Sequence, residues 1–136
     1  MAIRVEVSVG EFLDKLSILE IKSEKITDPS KLANVRRELQ VLRDTWAASP
    51  FAGVDVREDY AELMTLNRAL WDIEDRIREQ EGEARFDREF VELARSVYRT
   101  NDRRAAVKKR INLRLGSELV EEKSYRGPQS SEGGAS

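Results

Sequence analysis

A chain of 136 residues falls within the range of one domain, and its 40% hydrophobic and 37% charged residues, poor in Gly and Pro, favour helices over sheet. A net charge of -2 argues against an overall electrostatic attraction to DNA, and the absence of Cys and His excludes disulfides, thiolate metal sites and the usual general base near neutral pH. No cofactor or metal is called for, although carboxylates alone can hold Mg²⁺. No window approaches the ~20 apolar residues of a membrane span, and no signal-peptide core is present, so a cytoplasmic protein without membrane contact is expected.

"IRVEVSV" (residues 3–9) alternates strictly, with Ile3, Val5, Val7 and Val9 on one face and Arg4, Glu6 and Ser8 on the other. That is the period of a strand. A lone strand needs a partner, either the C-terminal segment or its own copy in a homodimer. Ser8 with Glu11 reads as a capping box opening a first helix that runs to about Ile26. Its apolar residues cover most of the circumference, which places it centrally. Asp28 caps the second helix, with Pro29 at its first position. Leu32, Val35, Leu39, Leu42 and Trp46 form its seam.

The third helix is expected from Asp55, with Glu58 completing a second capping box. Leu63, Leu66, Leu70, Ile73 and Ile77 make one stripe, and Tyr60, Met64 and Trp71 a second beside it. A turn around Gly82 leads to a fourth helix from Asp87 to Leu115, stopped by Gly116. "SELVEEKSY" reads as a short turn docking Leu119, Val120 and Tyr125, with "KSY" as a frayed tail or a flap over the bundle end. The pattern is all-α: a four-helix antiparallel bundle with one short N-terminal β-strand, forming a single helical domain over residues 1–126 and a disordered tail over 127–136.

The informative residues break the apolar pattern. On the fourth helix Arg104 and Lys108 lie in line with Val97, Ile111 and Leu115, flanked by Asn101 and Asn112. On the third, Asn67, Trp71 and Glu74 share one surface. On the first, Lys15, Glu20, Lys22 and Asp14 fall between apolar positions. Buried unpaired charges cost several kcal/mol, so these groups must meet each other, water or a ligand.

Two readings follow. In one, the polar groups form a structural ion-pair network inside a non-catalytic, homodimeric interaction module. In the other, Lys15, Glu20, Lys22, Asn67, Trp71, Glu74, Asn101, Arg104, Lys108 and Asn112 surround a small anionic metabolite such as a sugar phosphate or nucleotide sugar. Arg104 and Lys108 would then hold the anion, Glu74 and Asn67 the hydroxyls, and Trp71 a flat ring. Asp14 or Glu20 would be the acid or base of any reaction. Arg99, Arg103, Arg110 and Arg114 form a separate basic stripe, but no interleaved aromatics or RNA module accompany it, which argues against a nucleic-acid partner.

The stretches "VGEFLDKLSILEIKSEKI", "KLANVRREL", "LNRALWDIEDRIRE", "FDREFVELARSVYRTNDRRAAVKKRIN" and "GSELVEEKSY" together resemble a family of small bacterial proteins of unknown function, over residues 4–125. The resemblance implies no activity. Members of that family can lie near genes for glycosyltransferases and surface-polysaccharide assembly, so the resemblance is compatible with a sugar-phosphate or nucleotide-sugar ligand. "LDKLSILEIKSEKI" is loosely similar to the first helix of all-helical chorismate mutases. The early arginine of that helix is missing here, where Gly10 and Glu11 stand, so the likeness is one of architecture.

Overall fold

The structure, a computed structural model, describes residues 2–122. The expected tail, and Tyr125 with it, lie outside the described residues. Four helices follow in order: α1 (Val9–Lys25), α2 (Pro29–Ala47), α3 (Arg57–Gly82) and α4 (Arg88–Leu115). Three start where a side chain caps them. Ser8 Oγ accepts from the Glu11 amide at 3.1 Å, Asp28 from Lys31 at 2.9 Å and Asp87 from Phe90 at 3.2 Å. Gly116 ends α4 in the left-handed conformation, at φ 67°.

The third helix departs from expectation at both ends. It begins at Arg57 behind Val56, which offers no capping side chain, while Asp55 accepts from the Arg57 amide and guanidinium instead. It also runs through Gly82, and the left-handed residue of the turn is Ala84 at φ 56°, at a cost of about 1–2 kcal/mol.

α1 packs against all three other helices, α3 and α4 pack against each other, and α2 lies mainly against α1, with its Trp46 at the edge of the main core. Cross-helix pairs fix the directions. Asn112 meets Gly10 and Arg104 approaches Asp14, so α4 runs antiparallel to α1. Arg110 meets Asp59 and Glu89 meets Arg76, so α4 is antiparallel to α3 as well. The apolar circumference of α1 explains its central place. Val9 and Leu13 join Leu63, Leu66, Val107 and Ile111 in the main core. On the adjoining side Leu16 and Leu19 meet Leu39 of α2, with Tyr60 packed against both groups. Each buried aliphatic side chain contributes roughly 1.5–3 kcal/mol. Trp46 stacks between Phe12 and Phe51, with ring centroids 5.9 and 6.2 Å apart.

The N-terminal strand is not formed. Residues 2–8 have no regular secondary structure, and Ile3 and Val5 are 93% and 76% exposed. The cause is the missing partner: the described residues contain no other strand, and no backbone hydrogen bond joins residues 2–7 to residues 117–122. The chain taken alone is therefore all-α.

Gly10 sits where α1 and α4 come closest. A Cβ there would fall 2.9 Å from Lys108 Cα and closer still to its carbonyl oxygen, so backbone would have to move. Gly10→Ala is expected to destabilise the fold by about 1–3 kcal/mol in urea unfolding, despite alanine's better helix propensity. An unchanged or raised midpoint would mean that the two helices are not in such close contact.

Candidate functional site

Gly10, Asp14, Ser17 and Ile21 recur at a 4-3-4 spacing and share one buried face of α1. Asp14 is 3% exposed and Ser17 fully buried. Asn67 of α3 joins them to α4. Its Nδ2 donates to Asp14 Oδ1 and to Ser17 Oγ, both at 2.8 Å, and its Oδ1 accepts from Arg104 Nη1 at 2.9 Å. One amide thus uses both donor hydrogens and its oxygen inside the core.

One turn along α4, Lys108 Nζ donates to Glu11 Oε2 at 2.5 Å and lies 3.3 Å from Glu121 and 3.9 Å from Asp14. Arg104 Nη1 lies 4.0 Å from the same Asp14 carboxylate. Burial works to lower the Lys108 ammonium, but the Glu11 hydrogen bond, with the Asp14 and Glu121 charges behind it, raises it above its ordinary 10.5. Burial likewise works to raise Glu11, and the Lys108 ammonium outweighs it, holding the carboxyl below its ordinary 4.5. The space bounded by Lys108, Asn112 and Glu121 is about 20 Å³, room for about one water.

Asn112 has a different task. Its Oδ1 accepts from the Gly10 amide at 2.6 Å, and Ser117 Oγ accepts from Val9 at 3.2 Å. With the Ser8 hydroxyl on Glu11 and the Ser8 carbonyl on Phe12, all four leading amides of α1 are satisfied, two of them from the end of α4.

Of the residues expected at a site, Asp14, Asn67, Arg104, Lys108 and Asn112 come together. The others do not join them. Lys15 is exposed and Lys22 half-buried, because the apolar residues of α1 run nearly all round and do not mark its open side. Glu20 faces α2, 3.4 Å from Arg43 and beside the buried Tyr60 hydroxyl, which has no partner at hydrogen-bonding geometry. Burial, and then the Glu20 carboxylate, push the Tyr60 phenol well above its ordinary 10.0. Glu74 is exposed and pairs with Arg78 at 3.9 Å. It lies roughly two turns beyond Arg68, which meets Glu24 at the last turn of α1. Trp71 and Asn101 are half-buried, and neither hydrogen-bonds to the cluster.

Glu11, Ser17 and Glu121 belong to the cluster and were not legible as site residues. Glu11 reads as the second half of a capping box, yet its carboxylate goes to Lys108. The 4-3 run of the small or polar residues Gly10, Asp14 and Ser17 on α1 is the signal that points to Ser17.

A second charged group lies at the start of α3. Arg110 and Arg114 both bind the buried Asp59 carboxylate, Arg110 also binds Glu62 at 2.7 Å, and Arg114 reaches the Asp55 carbonyl at 3.1 Å. The cleft beside it is larger, about 850 Å³, but open to solvent, and its arginines are already paired. Burial works to raise Asp59, and the two guanidiniums hold it below its ordinary 3.8. Two of the four arginines of the basic stripe are thus committed to Asp59, and a third, Arg99, lies 4.0 Å from Glu92.

These shifts set a pH dependence. The contributions of Glu11 and Asp59 are present above their ordinary 4.5 and 3.8 and are lost as pH falls towards their lowered folded values. That of Lys108 is present below 10.5 and is lost as pH rises through its raised value. Thermal midpoints should fall on the acid side of about pH 4.5 and the alkaline side of about pH 10.5, and Glu11→Gln should flatten part of both arms. Superimposable pH profiles for wild type and Glu11→Gln would show that the Lys108 pair contributes nothing.

Comparison with curated proteins and with solved structures gives no match. The model of one family matches residues 3–135, nearly the whole length. The chain therefore belongs to that family, DUF6165, a family of unknown function.

Proposed function

We propose that the protein is a non-catalytic, homodimeric interaction module whose inward polar residues serve the fold. The observation that supports this reading is how the two inward cations are engaged. Lys108 lies among Glu11, Asp14 and Glu121, and Arg104 donates to Asn67 beside Asp14. Two cations stand against three carboxylates, so the cluster has no positive surplus to offer an anion, and about 20 Å³ beside it is too small for a sugar phosphate.

A second reading has one observation in its favour. Glu121 is half-exposed and stands on a non-helical segment, so its carboxylate occupies a place on Lys108 that the anionic group of a metabolite would take. In that reading the segment leaves and a sugar phosphate or nucleotide sugar enters.

The test separates them. Met retains the stem of either cation without its charge. In phosphate- and sulfate-free buffer, Arg104→Met combined with Lys108→Met is expected to lose ~3 kcal/mol or more, because Asp14 is left buried and uncompensated. Calorimetric titration of Glu121→Ala with inorganic phosphate and a nucleotide sugar is expected to show no heat of binding. Stability that holds or rises in the double variant, with phosphate binding uncovered by Glu121→Ala, would overturn the structural reading in favour of the anion site.

A further inference from the structure

Ten large hydrophobic residues are exposed among the described residues, and five of them, Ile3, Val5, Val7, Leu113 and Leu119, belong to one end of the molecule. That end is where α1 begins and α4 finishes. Asn112 and Ser117, which bind the first amides of α1, bracket Leu113, and the Ser117 hydroxyl donates to the Leu119 carbonyl at 2.7 Å. Residues 3–7 leave this point as an exposed, strictly alternating segment with unpaired backbone. Such an edge is a template for another strand.

From this we infer that residues 3–7 pair antiparallel with the same residues of a second copy, with Val5 opposite Val5. The inference rests on the reading of the protein as a homodimeric module and specifies its surface. The charges select the register. With Val5 on the two-fold axis, Arg4 of each copy stands opposite Glu6 of the other, and Ile3 stands opposite Val7. Shifting the centre by one residue either way keeps the faces in phase but sets Arg4 against Arg4 or Glu6 against Glu6. Parallel pairing in register opposes like charges at both positions. A two-stranded ribbon alone is marginal in water, and the apolar face of this one needs cover. Leu113, 67% exposed, and Leu119, 41% exposed, supply it at the same end.

The experiment is sedimentation equilibrium on the full chain, with far-UV circular dichroism as a check on the fold. Wild type is expected to be a dimer. Arg4→Glu and Glu6→Arg each place like charges opposite one another twice, and each should weaken association on the order of tenfold. The double swap Arg4→Glu with Glu6→Arg should restore it, since the opposed pairs again carry opposite charges. The chain has no native cysteine, which permits an independent readout of register. Val5→Cys should oxidise to a covalent dimer. Ile3→Cys should not, because the two positions lie roughly 14 Å apart in this register, beyond the reach of a disulfide. A wild-type dimer that ignores the single swaps, or that cross-links through Ile3→Cys, overturns this surface and leaves the module reading in place. A wild-type monomer, including one that takes a strand from another protein, overturns both.

Discussion

A carboxylate with almost no contact with water stands at the meeting point of α1, α3 and α4, and the rest of the packing is arranged around it. Asp14 cannot be left there alone without cost, because a buried charge stripped of its partners costs several kcal/mol, a large share of the net stability of a domain. The compensation comes from two other helices at once. Asn67 gives it a direct hydrogen bond, while Arg104 and Lys108 supply charge from about 4 Å. Asn67 also binds Ser17 and Arg104, so sliding α3 or α4 by one turn would break several bonds together. An apolar core tolerates small slips, whereas a network of this kind admits one register.

The same three helices are joined again at the end where α1 begins. A helix start leaves four amides without partners, and here α4 answers two of them through Asn112 and Ser117. Gly10 makes this possible by letting the α4 backbone come near. At the far side of α4, Arg110 and Arg114 reach to the opening turn of α3, whose N-cap residue Val56 has no side chain to cap it. The last turns of α4 therefore hold the first turns of both neighbours.

Much of this is written locally and can be read from sequence. The caps at Ser8, Asp28 and Asp87 and the stop at Gly116 depend on residues within one turn, and they appear where the pattern places them. Arg104 and Lys108 stand out because their positions on α4 are otherwise apolar. Partners are harder to read, since they depend on how helices cross. Glu74 lies on the same stripe of α3 as Asn67, yet α1 is too short to reach it. Lys15 sits on a helix whose wheel gives no clear outside. Glu121 is opposite Lys108 only because the chain turns back after Gly116. The alternation in residues 3–7 has the period of a strand but forms none, since the described residues offer it no strand to pair with.

The peripheral position of α2 has a consequence for how the protein opens. α2 rests mainly on α1, through Leu39 with the partly buried Val35 and Leu42, adds Trp46 to the edge of the main core, and has no share in the Asn67 network. Its loss would leave the partners of Asp14 in place, so a partial opening of the molecule is expected to start with α2. The amides of α2 should exchange with solvent hydrogen through a sub-global opening, while those at the centre of α1 and α4 wait for complete unfolding. Lifting α2 would bare Leu16 and Leu19, on the surface of α1 away from the polar cluster, and would take Trp46 from the edge of the main core.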